Sequence, residues 1–312
     1  MISRSTLIGA LVVVELGIAG MAVKAIAGDG THAGPSSTHG PWGRHFGFTS
    51  SVTSPARFEK TLAAGPAPHV VIDVHNIDLV IDAQAQPVVH AVESLHIAGY
   101  SSGALPPIAA ERTADGVRLT ANQDTVDIVF GDVTRSMHIA VPAGARVEII
   151  SCGHLEATGL RTKLSAHTPL GNLRVRDHRG DLDLSTADGK IELVDVQAAD
   201  IAADTHDGRL YLTRVDADRI NAHSNYGRIY AVDVRAKDGA LSTHFGRISA
   251  TFTGDSDATF AVSTRDGKVK VTGVPSTQAG SSAQTFQLGS GQGRFEVSTD
   301  DGDVNISQGA SV

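Results

Sequence analysis

From about residue 150 the chain alternates apolar and polar residues, and the alternation restarts at regularly spaced glycines. Gly189, Gly208, Gly227, Gly246 and Gly267 lie 19, 19, 19 and 21 residues apart; Gly153 and Gly171 extend the series backwards in 18-residue steps, and Gly302 follows after 35. Two positions after the glycines stand Ile191, Leu210, Ile229, Ile248, Val269 and Val304, and four after them Leu193, Leu212, Ala231, Ala250, Val271 and Ile306. This period of two describes strands with one face turned inward. Before each glycine runs a second inward row, with Leu184, Ala203, Ala222, Leu241, Val262 and Val297 at five positions and Thr186, Thr205, Ser224, Thr243, Thr264 and Thr299 at three. Asp188, Asp207, Asp266 and Asp301 directly precede the glycine, which is expected to supply a positive φ at the corner.

A unit of 19 residues with about two short strands cannot bury its own apolar face. Stacked units can, by pairing parallel strands about 4.8 Å apart. The pattern therefore predicts an all-β chain, a right-handed parallel β-helix (β-solenoid) over residues 151–307, with the Thr/Ser row as a ladder inside it. The Leu/Asn signature of leucine-rich repeats is absent, and the unit is half a propeller blade. Residues 58–150 are β-rich but less regular and predict irregular first coils or a cap. The Gly/Ser/Gln-rich stretch 276–293 reads as a loop or a wide last coil.

The N-terminus adds a different element. Arg4 precedes an apolar run from Leu7 to Ala27, broken by Glu15 and Lys24 and ending in Ala25-Ile26-Ala27. Residues 1–27 are thus expected to be a signal peptide or a membrane-anchor helix, placing the protein in the periplasm or at the cell surface. Residues 28–57 read as a flexible tether carrying the only Trp, in the segment Trp42–Phe48. The net charge of −8 argues against a nucleic-acid partner, and a single cysteine excludes a disulfide framework or a thiolate zinc cluster.

If the coils stack in register, side chains form stripes. One position after the glycine come Lys190, Arg209, Arg228, Arg247 and Lys268, five successive cations; two positions further lie Tyr211 and Tyr230. Such a ribbon is a candidate groove for an extended anionic polysaccharide, with Arg forks on carboxylate or phosphate. The bland alternative is that neighbouring carboxylates, among them Asp188, Asp207 and Glu192, offset the charge. His206 and His244 are two coils apart, roughly 9–10 Å, too far for one zinc, so no metal and no cofactor are expected. Cys152 reads as a packed residue, and no catalytic motif stands out.

The run Met137-His138-Ile139-Ala140-Val141-Pro142-Ala143-Gly144 leading into Val147-Glu148-Ile149, followed by Ser185–Leu193 and Ser263–Val269, resembles the bacterial DUF4097 family, related to DUF2807. The resemblance spans about residues 58–307 and implies a β-helix of the adhesin type, exported or bound to the envelope, with no catalytic residues to carry over. The expected function is non-enzymatic surface adhesion or scaffolding. A carbohydrate-active β-helix lyase or hydrolase, or an envelope regulatory module binding another protein, are the alternatives.

Overall fold

A computed structural model describes residues 56–102, 108–121, 127–274, 276–279 and 281–309. The segment 1–27, the tether up to residue 55 and Trp42–Phe48 lie outside them. The described residues form strands and turns without a helix. The first strands are β1 (Ala56–Ala63), β2 (His69–Val74), β3 (Asp78–Gln84), β4 (Val88–Ser102), β5 (Ala109–Arg112), β6 (Gly116–Ala121) and β7 (Asp127–Pro142). The regular body holds β8 (Arg146–Ser151), β9 (Leu155–Thr158), β10 (Leu164–Leu170), β11 (Leu173–Arg179), β12 (Leu182–Asp188), β13 (Ile191–Thr205), β14 (Leu210–Ser224), β15 (Ile229–Phe245) and β16 (Ile248–Phe252). The last are β17 (Ala258–Asp266), β18 (Val269–Thr272), β19 (Ser276–Ala279), β20 (Ala283–Leu288), β21 (Gly293–Asp301) and β22 (Val304–Gln308).

Two rows of strands run along the solenoid, mostly parallel. Upstream of the glycines the order is β5, β6, β2, β8, β10, β12, the second halves of β13, β14 and β15, then β21, β17, β20 and β19. Downstream it is β1, β4, β7, β3, β9, β11, the first halves of β13, β14 and β15, then β16, β22 and β18. The inward columns read from the sequence are the core: Ile191, Leu210, Ile229, Ile248 and Val304 are at most 1% exposed.

The coils do not stack in chain order at either end. The β2–β3 coil lies between β6–β7 and β8–β9, and the last coil, β21–β22, lies between β15–β16 and β17–β18. Each end of the repeat is thus tucked one layer inside. Phe295 of the inserted coil contacts Phe252 and Phe260 at ring separations of 5.2 and 5.4 Å, and Phe286 stacks on Phe260 at 4.8 Å. These four buried rings plug the C-terminal end. The stretch 276–293, expected as a loop or coil, instead contributes the antiparallel pair β19 and β20, which covers the outer edge of β17. Antiparallel β5 covers the opposite end of that row, and β1 with β4 the other, so open pairing edges are blunted.

The repeated glycines serve a purpose other than the one expected. Gly189, Gly208, Gly227, Gly246 and Gly267 do not have positive φ; in their column only Gly171 (φ 125°) and Gly302 (φ 147°) do. A Cβ on any of them would overlap the carbonyl oxygen of the glycine in the adjoining coil. The glycine column is therefore a close-contact seam. The buried Thr/Ser row closes it: Thr205 Oγ1 donates to Gly189 O at 3.2 Å, Ser224 Oγ to Gly208 O at 2.9 Å and Thr243 Oγ1 to Gly227 O at 3.1 Å. Thr205→Val keeps the shape and removes the donor, so stability should fall by about 1–3 kcal/mol in a urea melt while Thr205→Ser stays near wild type. Left-handed backbone occurs at the opposite corner, at Asp177, Asp195, Arg214 and Asp233, with φ of 44°, 57°, 51° and 55°. Aspartate tolerates this conformation better than most residues.

Candidate functional site: the glycine crest

Immediately after the glycine seam the chain turns outward, and its first side chain stands on the crest of the corner. Carbonyl-to-amide bonds link these positions from coil to coil: Ile191 N donates to Arg209 O, Leu210 N to Arg228 O, Ile229 N to Arg247 O, Ile248 N to Asp303 O and Val304 N to Lys268 O, all at 3.0–3.1 Å. Lys190, Arg209, Arg228 and Arg247 are therefore consecutive. Lys268 is not the fifth in succession, because the inserted coil places Asp303 between it and Arg247. Two residues further along the strand, Glu192, Tyr211, Tyr230, Ser249, Asn305 and Lys270 form a second outward column.

Neutralisation along the crest is uneven. Lys190 Nζ pairs with Glu192 at 3.0 Å, and Arg247 with Asp303 at 3.1 Å. Partial burial works against ionisation of Glu192, yet hydrogen bonds from Arg174 and Lys190 hold its carboxyl below the usual range. Asp188 and Asp207, also expected to offset charge, pair with none of these cations among the described residues. Between the two neutralised ends, Arg209 makes no ion pair among the described residues, and Arg228 reaches only the Tyr230 hydroxyl, at 3.5 Å. The two central guanidinium groups are thus exposed and unpaired by carboxylate.

Aromatic rings flank these two arginines on both sides. Tyr211 and Tyr230 stack with centroids 5.2 Å apart and planes 10° apart, and Lys190 Nζ lies 6.0 Å over Tyr211. On the upstream side, Tyr226 and Phe245 stack at 5.2 Å and 4°, while 56% and 52% exposed. His206 packs 5.5 Å from Tyr226. Sequence reasoning missed Tyr226 and Phe245. The available signal was that they stand where four of the other units carry aspartate before the glycine, Asp188, Asp207, Asp266 and Asp301. Three of the chain's four tyrosines gather here.

The opposite corner offers a cleft of about 530 Å³ past Asp177, Asp195, Arg214 and Asp233. Part of its charge is matched by ion pairs, Arg161 with Asp177 at 3.1 Å, Arg214 with Asp195 at 2.5 Å and Arg235 with Asp216 at 2.6 Å, while Arg179, Asp233 and Asp255 make none among the described residues. In its wall, His178 is 1% exposed and continues the column of Val196, Val215 and Val234. Burial pushes its pKa from 6.5 down to about 4; the backbones of Gly180 and Asp181 act the other way without offsetting it, and neither ring nitrogen has a partner at bonding geometry. The unfolded chain takes up this proton first. Stability should therefore be full above pH 6.5 and fall by about 3 kcal/mol as pH drops towards 4. His178→Val should remove that part of the slope in urea melts across this range.

Cys152 is buried, and burial pushes its thiol up to about 12. Among the described residues no group of three His, Cys, Asp or Glu is placed to hold a metal ion.

Known structures show similarities along most of the chain. A candidate adhesin from Bacteroides fragilis is 11% identical, with 81% of this chain and 97% of that one covered and a TM-score of 0.49. A candidate adhesin from Parabacteroides merdae is 12% identical, covering 82% and 96%, with a TM-score of 0.38. A candidate lipid-binding protein from Parabacteroides distasonis is 12% identical, covering 82% and 94%, with a TM-score of 0.42. No curated protein sequence is significantly similar. The family model for Toastrack DUF4097 matches residues 119–307, which takes in the glycine seam, the Thr/Ser row and the whole crest. With its repeat, its solenoid and that match in agreement, the chain belongs to the Toastrack DUF4097 family.

Proposed function

We propose that this is an exported, non-enzymatic, adhesin-like module of the cell envelope, wound right-handed in coils of 18–19 residues, whose crest holds an anionic polysaccharide. The observation that carries this reading is the pair Arg209 and Arg228, unpaired by carboxylate between neutralised neighbours and flanked by two stacked aromatic pairs. Guanidinium forks suit carboxylate and phosphate, and ring faces suit the apolar faces of sugars. Uronic-acid polymers, teichoic acid and lipopolysaccharide meet both demands. The chemistry of the crest is that of a binder: a stripe of cations and rings whose acids, Glu192 and Asp303, are each engaged by a cation of the stripe.

The test is an array of anionic and neutral glycans probed with the full chain at about 0.05 and 0.15 M salt. Arg209→Ala/Arg228→Ala is run beside it. The expected result is binding to anionic polymers that weakens with salt and drops at least tenfold in the double variant. Absence of binding by wild type, or equal binding by both, overturns the reading and leaves the crest a solvated face.

A further inference from the structure

The outward column beside the crest changes size abruptly. Tyr211 and Tyr230 are followed by Ser249 and Asn305, both short, and then by Lys270, which is long. The result is a notch of about 270 Å³. One end wall is the face of Tyr230 turned away from Tyr211, and the other is Lys270, three strand spacings or about 14 Å along. Ser249 and Asn305 form its floor. Thr251 and Ser307, joined hydroxyl to hydroxyl at 2.9 Å, line one flank together with Val232 and Thr272. Among the described residues Lys270 makes no ion pair, and the side chains of Ser249 and Asn305 make no hydrogen bond.

The notch is a product of the coil order. Were the coils stacked in sequence, Lys270 would follow Ser249 directly. Insertion of β22 places Asn305 between them, doubling the floor.

We infer that this notch is a subsite for one acidic sugar unit, its ring packed on the free face of Tyr230 and its carboxylate on the Lys270 ammonium. The hydroxyls of the sugar meet Ser249, Asn305 and the Thr251–Ser307 pair. Convergent polar groups beside one ring face are what a small pocket uses to orient a ligand. The inference names the repeating unit of the polymer proposed above, and in that respect rests on that reading, but neither Arg209 nor Arg228 lines its site, which Arg228 touches only through the Tyr230 hydroxyl.

The experiment measures binding of methyl galacturonoside and neutral methyl galactoside by saturation-transfer NMR titration of the full chain. Three variants are compared with wild type. Ser249→Tyr extends the Tyr211–Tyr230 stack and fills the notch, and the fold already accommodates tyrosine at the two preceding positions. Lys270→Gln removes the charge, and Arg209→Ala/Arg228→Ala removes the crest. The expected result is preference for the acidic sugar, at least tenfold weaker in Ser249→Tyr and in Lys270→Gln, and retained with a much smaller loss in the double arginine variant. Uronoside binding that survives Ser249→Tyr, or equal binding of the neutral sugar, overturns the notch while leaving polymer binding on the crest intact. Uronoside binding that is lost in Ser249→Tyr while polymers fail to bind on the array sustains the notch and overturns the polymer reading.

Discussion

Gly227→Ala should destabilise the protein by at least about 3 kcal/mol, or prevent folding altogether. The new methyl would overlap the Gly208 carbonyl oxygen and also crowd Ser224 Oγ, 2.6 Å away. That carbonyl accepts the Ser224 hydroxyl and sits in the corner between Thr205 and Leu210, both of which are laddered to adjoining coils, so it cannot retreat without disturbing them. Overpacking against backbone is harder to relieve than overpacking against a side chain. Gly65→Ala is the control. Gly65 has a φ of 76° with open space around its Cβ position, so only the backbone conformation is penalised, at about 1–2 kcal/mol. Urea denaturation of the two variants ranks them. A smaller loss at Gly227 than at Gly65 would mean that the coils are not held at the separation described.

A chain ending at residue 292 should lose far more than its own missing strands. The removed coil carries both ladders that fasten β17 and β18 to β15 and β16, and Phe295 with them. Residues 258–288 should then become sensitive to limited proteolysis, while the body up to Phe252 remains protected. Mass spectrometry of the first fragments reads this directly. The opposing result is an undiminished resistance of 258–288. It would show that β17 and β18 have closed onto β15 and β16, Gly267 over Gly246, the order that the spacing of the glycines alone suggests.

That second result is conceivable because the repeat is degenerate, and the degeneracy explains what could be read from the chain. Alternation around the glycines located the inward columns, since a strand with one buried face leaves a period of two. It located the Thr/Ser row, and it brought Lys190, Arg209, Arg228 and Arg247 into one line. It did not distinguish Gly267 from Gly302 as the neighbour of Gly246, because both carry Thr three positions before and Val two positions after, and the spacing, which put Gly267 and Lys268 next in line, misled. The choice is made by tertiary contacts such as Phe295 between Phe252 and Phe260. Nor does a regular spacing disclose whether glycine is needed for its dihedral freedom or for its missing side chain. Here the missing side chain decides at Gly189 through Gly246, while the left-handed corners fall to Asp177, Asp195, Arg214 and Asp233. Tyr226 and Phe245 were visible as departures from aspartate, but only stacking of the coils shows that the two departures touch.

Tucking the last coil inside the stack also sets how the protein meets mechanical force. A terminal strand at an open edge can be unzipped, one hydrogen bond after another, by tension across it. Tension applied at the C-terminus here reaches β22 first, and β22 is bonded on one side to β16 and on the other to β18. Pulling along its length loads both ladders in shear at once, so many bonds must yield together. The resistance of the C-terminal end is then a rate governed by one large barrier rather than by a series of small ones.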